Sequence, residues 1–280
     1  MWSLPLPRPV AADTFAACVA QVSSRDLQEK YAAAKSEIMS ANESFLEAAR
    51  RSSWHELEEE DLKTKLVSSE EMTKLYNGQL RRLNTPARAI YDEIKNAREL
   101  CPLCNQRAVE TLDHYLAKSK FPALAVSPPN LIPACSDCNK LKLSSVAEAA
   151  EQQTLHPYFD YIEEDPWLQA EVRETNPPSV RFFVAPPESW TRTLTERANT
   201  HFRMFKLGRL YRIHAGEEIS IIRHDLQRIF DREGSKGVQV SLARSAESRR
   251  NARVNSWQTA AYTALRDSTW FCERGFALRG

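Results

Sequence analysis

Apolar side chains recur at alternating steps of four and three through Leu27, Tyr31, Ala34, Ile38, Ala41, Phe45 and Ala48. That heptad-like spacing sets them along one stripe of a helix, within a helical region predicted over residues 13–52. Ser23 and Asp26 resemble the two ends of a capping box near its start. About half of the stripe is Ala and Tyr, which suits packing inside the fold better than a seam for a partner helix. The run WHELEEEDLK follows as a solvated acidic face. Thr85-Pro86 then supplies an N-cap and first-turn pair for a helix carrying Ile90, Tyr91, Ile94 and Ala97.

The period changes to two beyond this helix. Val109, Thr111, Asp113 and Tyr115 alternate with Glu110, Leu112 and His114, as on a short strand. A Lys-, Ser- and Pro-rich loop leads to a second extended segment, Asn130-Leu-Ile-Pro-Ala. SDCNKLKLSS then opens a helix, with Ser136 or Asp137 as its cap. Further on, HPYFDYIEEDPW (156–167) reads as a turn-rich acidic segment with buried aromatics. VRFFV (180–184) reads as a strand closed by Pro186-Pro187. Residues 188–230 and 243–274 read as helices separated by the loop REGSKG.

With 7 Gly among 280 residues, the chain is poor in the tight turns of an all-β protein, and a mainly α fold is expected. Three regions are expected: helical residues 1–85, a small metal-bearing core over 86–155, and mainly helical residues 156–280 with a basic surface. The net charge of +1 is unevenly spread, because residues 201–280 carry a surplus of basic side chains. Arg203, Lys206, Arg209 and Arg212 recur there at helical spacing, and Arg249, Arg250 and Arg253 cluster. No apolar stretch is long enough to span a bilayer, so no membrane association is expected. The start, MWSLPLPRPV, is broken by three prolines and does not read as a secretory leader, so a cytoplasmic protein is expected.

Four of the six cysteines form two C-x-x-C pairs, Cys101/Cys104 and Cys135/Cys138, with thirty residues between them. Two such pairs supply the four-sulfur shell that zinc prefers, and a shell closed by protein leaves no position for water. One structural Zn²⁺ is therefore expected. A redox role would need only one pair. Cys18 and Cys272 lie apart and read as small core residues. Thirty residues exceed what a simple ribbon needs, so something further is built inside the loop.

Asp113-His114 on the first predicted strand, Asn130 opening the second and Asn139 on the helix resemble the HNH endonucleases, the ββα-metal group. The wording LDHYLAKSKFP, NLIPACSDCNK and LHPYFD resembles a bacterial branch of that family whose ββα unit is clamped by a four-Cys zinc. The resemblance covers residues 98–145 and fades beyond HPYFD. It implies a zinc-stabilised ββα core that hydrolyses phosphodiester bonds, DNA being favoured over RNA. In that reading His114 activates water, and Asp113 and Asn139 hold one Mg²⁺ or Mn²⁺. Asn130 ties the loop and orients His114. Asn139 stands where many members carry His. The motif wording also resembles the HNH subunits of anti-phage systems of the Septu and retron-associated type, which implies an SMC/RecF-like ABC ATPase as partner.

The residue chemistry agrees without the family name. His has an unperturbed pKa near neutrality and suits a general base, and Asp113 and Asn139 offer hard oxygen ligands. Adjacent strand residues point to opposite faces, so a twist or bulge at Asp113 is expected if both side chains are to reach one phosphate. Lys118, Lys120, Lys140 and Lys142 flank the site as candidates for phosphate contact. The competing reading is a zinc ribbon that binds nucleic acid without cutting it.

Overall fold

A computed structural model describes residues 1–142 and 147–279. It is 57% helical and 8% strand, which makes the chain mainly α. It divides into two compact units, Met1–Tyr161 and Ile162–Gly280. Residues 1–85 and the expected 86–155 core thus lie in one unit.

In the first unit, α1 (Ala11–Val19) and α2 (Arg25–Arg51) are separate helices where the sequence suggests one continuous region. The break falls at Ala20–Ser24. The N-cap of α2 is Ser24, not Ser23: its hydroxyl accepts from the Leu27 N–H at 3.3 Å. Tyr31, Ala34, Ile38, Ala41, Phe45 and Ala48 are all buried, so the stripe is a core face, while Leu27 at its start is half-buried. The α2 helix ends on Ser52, whose left-handed backbone turns the chain. Trp54 follows at once and is buried against the His156 ring, 5.2 Å between centroids. The acidic run that contains it is therefore not uniformly solvated.

Helix α3 (Ser69–Leu75) starts with a capping box between Ser68 and Glu71, an S-x-x-E signature that the pattern of apolar residues does not reveal. Glu71 also receives Lys30 of α2 at 2.6 Å. The chain then widens into a π turn, Tyr76–Leu80. Helix α4 (Pro86–Lys95) is capped by Thr85 as expected and buries Ala87, Tyr91 and Ile94.

Strands β1 (Thr111–His114) and β2 (Leu131–Ala134) pair antiparallel, with Thr111 opposite Ala134 and His114 opposite Leu131. The pairing runs one-to-one through Asp113 and His114, so no bulge interrupts it. Helix α5 (Ser136–Lys142) follows β2 directly. The last expected residues of this helix, 143–145, lie outside the described ones. Tyr158 donates from its hydroxyl to the Leu131 carbonyl at 2.8 Å, and Tyr115 donates to the Thr154 carbonyl at 2.8 Å. These bonds bind residues 154–158 to the hairpin end.

The second unit begins with an antiparallel hairpin, β3 (Leu168–Arg173) and β4 (Ser179–Val184). The sequence pattern shows only the latter. Helix α6 (Arg192–Met204) is capped by Thr191, and Lys206 in a left-handed conformation separates it from α7 (Leu207–Ala252). Gly234 interrupts α7 with φ of 67°. Across that residue Arg249 reaches Glu218 at 3.4 Å. Thirty-one residues of straight helix would hold them about 46 Å apart, so the chain doubles back at Gly234. The chain is helical on both sides of Gly234, but the expected helix 188–230 breaks at Phe205–Lys206, the expected helix 243–274 breaks at Arg253–Ser256, and the REGSKG loop contracts to one residue. Such a φ suits Gly because a Cβ there would meet the following carbonyl. Asn255, then α8 (Trp257–Asp267) and α9 (Thr269–Cys272), complete the unit. The Asn255 amide oxygen accepts from Trp167 N–H and Leu168 N–H, and its NH₂ donates to the Glu163 and Asp165 carbonyls.

Candidate active site and cysteine cage

Cys101, Cys104, Cys135 and Cys138 are buried, with their sulfurs all within 4.8 Å of one another. The local chain explains the convergence. Cys101 N–H donates to the Arg107 carbonyl and Asn105 N–H to the Cys101 carbonyl, both at 2.8 Å, which curls the first pair into a knuckle with Asn105 left-handed. The second pair opens α5, where Cys138 N–H donates to the Cys135 sulfur at 3.4 Å. Arg107 and Asp137 form an ion pair of 2.8 Å between the two knuckles.

A tetrahedral zinc with Zn–S bonds near 2.3 Å needs sulfurs about 3.8 Å apart. Cys104 and Cys135 stand at 3.9 Å. The donor set fits: four soft sulfurs, closed to water, can hold a metal ion. The sulfurs also compete for protons among themselves. Hydrogen bonds from neighbouring thiols, Cys101 first, push the Cys104 pKa down, while bonds with the same neighbours push that of Cys138 up. A cation between them could offset the charge of four thiolates in so small a volume.

The second candidate site lies at the end of β1. His114 is 7% exposed. Its Nε2 lies 2.8 Å from the Ala125 carbonyl, which can only accept, so Nε2 carries the proton and Nδ1 presents a lone pair. Its ring meets Tyr76 of the π turn edge-on, 4.5 Å between centroids. Burial lowers the His114 pKa to about 3, with the Lys118 charge acting in the same direction. The imidazole is therefore neutral near pH 7.

Asn130 is fully buried and binds the same loop at several points. Its Oδ1 accepts from Leu116 N–H at 2.7 Å, while Nδ2 donates to the Leu116 and Leu124 carbonyls at 3.0 and 3.2 Å. Leu124 precedes Ala125, so Asn130 fixes the turn whose carbonyl orients His114.

Asp113 faces the other way, toward α5. Its carboxylate receives the Lys142 ammonium at 3.0 Å, and both side chains are 7% exposed. Lys142 also donates to the His114 carbonyl at 2.5 Å and the Tyr115 carbonyl at 2.7 Å. Burial pushes the Asp113 pKa up, and the Lys142 charge opposes that shift. Lys142 therefore does not stand at the surface, where phosphate contact was expected.

Asn139 lies one turn before Lys142 on α5, is half-buried, and donates its backbone N–H to Cys135. Three residues on a helix share a face, so Asn139 and Lys142 lie on the same side of α5. As arranged, the Asp113 carboxylate is engaged by an ammonium, and the donor set does not fit a second cation.

Asp113 and His114 obey strand alternation and have separate partners. The Lys142 charge reaches both, and so does that of Lys118. Lys118 is half-buried, its Nζ 5.1 Å from the centre of the Tyr76 ring, and burial lowers its pKa. Lys120 pairs with Glu59 at 3.3 Å, and Lys140 is exposed. Tyr76 and the Ala125 carbonyl were not singled out from the sequence. Neither carries a signal there, since one is an ordinary apolar-face aromatic and the other a main-chain atom.

No family model matches the chain, and no solved structure matches it. Over 171 residues it is 32% identical to "Protein ea31" of Escherichia phage lambda, a match covering 59% of this chain. The chain spans 58% of the length of that relative. Among the described residues, no helix is long and apolar enough to cross a membrane.

Proposed function

We propose that the chain is an HNH-type endonuclease that hydrolyses phosphodiester bonds in DNA, with His114 as general base and a zinc-stabilised ββα unit as its core. One observation carries this reading: the bond from Nε2 to the Ala125 carbonyl, held by Asn130, leaves a neutral imidazole with Nδ1 as its basic atom. A base that takes a proton from water needs that tautomer and a fixed ring. Lys118, whose charge reaches Asp113 and His114, would attract a phosphate. Cys101, Cys104, Cys135 and Cys138 would hold zinc, which supplies cross-linking of the hairpin and α5 rather than reactivity. Mg²⁺ or Mn²⁺ on Asp113 and Asn139 is the cofactor the motif implies, and it would require Lys142 to withdraw.

The test is conversion of supercoiled plasmid by the purified protein with and without Mg²⁺, beside His114→Ala. Cutting by the parent that falls by about a hundredfold or more in the variant, at equal zinc content, is the expected result. Equal cutting by both removes His114 from the mechanism. The close burial of Asp113 and His114 also favours a second reading, a zinc module that binds nucleic acid without cleaving it. That reading expects salt-sensitive binding and intact plasmid. A role in anti-phage defence beside an ABC-type ATPase is proposed on the motif wording alone, and co-purification with a neighbouring ATPase gene product tests it.

A further inference from the structure

The π turn that carries Tyr76 ends at Arg81, whose N–H donates to the Tyr76 carbonyl at 2.9 Å. From there the chain turns through Arg82, Leu83 and Asn84 into α4. The turn is braced from α4: the Thr85 hydroxyl donates to the Arg82 carbonyl at 3.0 Å, and the Arg88 guanidinium to the Arg81 carbonyl at 2.7 Å. Asn84 is left-handed. The side chains it carries are nonetheless open to solvent, with Arg81 and Arg82 exposed and Leu83 67% exposed. Among the described residues, no carboxylate pairs with either arginine, and Asp92 at the foot of the turn is taken by Arg88 at 2.9 Å. Tyr76 joins this turn to the candidate active site. Its ring meets His114 edge-on, 4.5 Å between centroids, and lies 5.1 Å from Lys118 Nζ. The Arg81 charge reaches both Tyr76 and Lys118.

We infer that Arg81, Arg82 and Leu83 form a docking turn for duplex DNA beside His114, the two guanidinium groups taking phosphates and Leu83 entering the minor groove. Guanidinium forks match phosphate oxygens, and these two give up no internal ion pair to do so. An exposed Leu gains nothing from the fold here, whereas an apolar wedge next to basic side chains is how many proteins grip a DNA minor groove. The minor groove of an RNA duplex is wide and shallow and offers such a wedge less hold. Because the turn is already braced, little backbone order has to be gained on binding. This names the docking surface of the proposed endonuclease and rests on that reading for its purpose, but binding is measured without cutting.

The test is equilibrium binding of a short fluorescent DNA duplex to the full-length, zinc-loaded protein, over a range of salt and without added divalent metal. Replacing both arginines, Arg81→Gln with Arg82→Gln, should weaken binding about tenfold and lower the slope of log affinity against log salt by about two. Leu83→Ser should weaken it about threefold at unchanged slope. Arg50→Gln, which removes an exposed cation already paired with Glu47 at 2.6 Å, should leave both quantities as they are. Unchanged binding in the double variant or in Leu83→Ser, at parental zinc content and urea stability, would overturn the inference. So would an equal loss in Arg50→Gln, or tighter binding of an RNA duplex of the same sequence through the same arginines. Plasmid cutting with Mg²⁺, assayed in parallel, keeps the two claims apart. Cutting with binding indifferent to the turn rejects the docking turn and keeps the nuclease, and turn-dependent binding without cutting does the reverse.

Discussion

Two ion-binding arrangements sit within forty residues of each other, and they balance charge in opposite ways. The cysteine cage gathers four sulfurs, and the nearby cation, Arg107, is at its rim and already paired with Asp137. The Asp113 cage gathers one carboxylate and two carbonyls and is filled by the chain's own ammonium. The first arrangement could take an ion from solution, whereas the second already holds a positive charge from the polypeptide. An apparent ligand set is therefore only half of a metal site. The other half is whether a side chain already supplies the positive charge.

The contrast breaks most visibly if the metal is removed. Stripping zinc with a strong chelator, or replacing Cys104 by Ser, should remove a binding term on the order of 10 kcal/mol and unfold the hairpin and α5. Zinc analysis with limited proteolysis reads this, and a chelated protein that resists protease as the parent does would refute a structural role. The next largest effect belongs to the buried ion pair. Lys142→Met should destabilise the protein by about 3–5 kcal/mol, because Asp113 is left buried and uncompensated, and adding Asp113→Asn should recover most of the loss. Urea denaturation in chelator-treated buffer with zinc retained measures both. Additive losses would show that the two residues do not act as a pair.

A smaller effect comes from His114. Between its ordinary value of 6.5 and its native value of about 3, the unfolded chain takes up a proton that the folded chain refuses. Its contribution is therefore full above pH 6.5 and declines as pH falls, by up to about 1.4 kcal/mol per unit. Asp113, with its pKa raised by burial, acts with the opposite sign at the acid end of that range. Going from pH 7 to pH 5.5 should cost the parent about 1 kcal/mol more than it costs His114→Phe. Parallel stability curves for the two proteins would contradict a buried neutral imidazole. The smallest effect is at the rim: Arg107→Ala removes an exposed pair and should cost no more than about 1 kcal/mol, a loss that salt screens. A loss as large as that of Lys142→Met would erase the distinction between buried and rim pairs.

Much of the fold was legible where a local rule governs it. The α2 stripe, the Thr85 cap, both strands of the first hairpin and the start of α5 follow from periodicity and turn chemistry. So does a break in the helix near Gly234. Ser23 was the wrong cap by one residue, because both serines satisfy the local pattern and only the backbone angle at Ser24 selects between them. Strand β3 escaped notice because its face is half-buried, so alternation is weak, and its register depends on its partner β4.

The candidate site divides along the same line. Residue type and spacing alone determined that four cysteines can meet, since a C-x-x-C turn points two thiolates at one place whatever surrounds it. They also determined that Asp113 and His114 end a strand and that Asn130 and Asn139 flank the next one. Only the tertiary structure decided which of these groups are already satisfied. Lys142 reads as a surface lysine because its charge and position on a short helix favour solvent. It is buried because α5, anchored at the cysteines, lays its last turn against the end of β1. The tautomer of His114 was equally beyond reach of the sequence, because it depends on a main-chain carbonyl eleven residues away. Long-range neighbours set protonation and charge balance, and side-chain chemistry sets only what those neighbours have to work with.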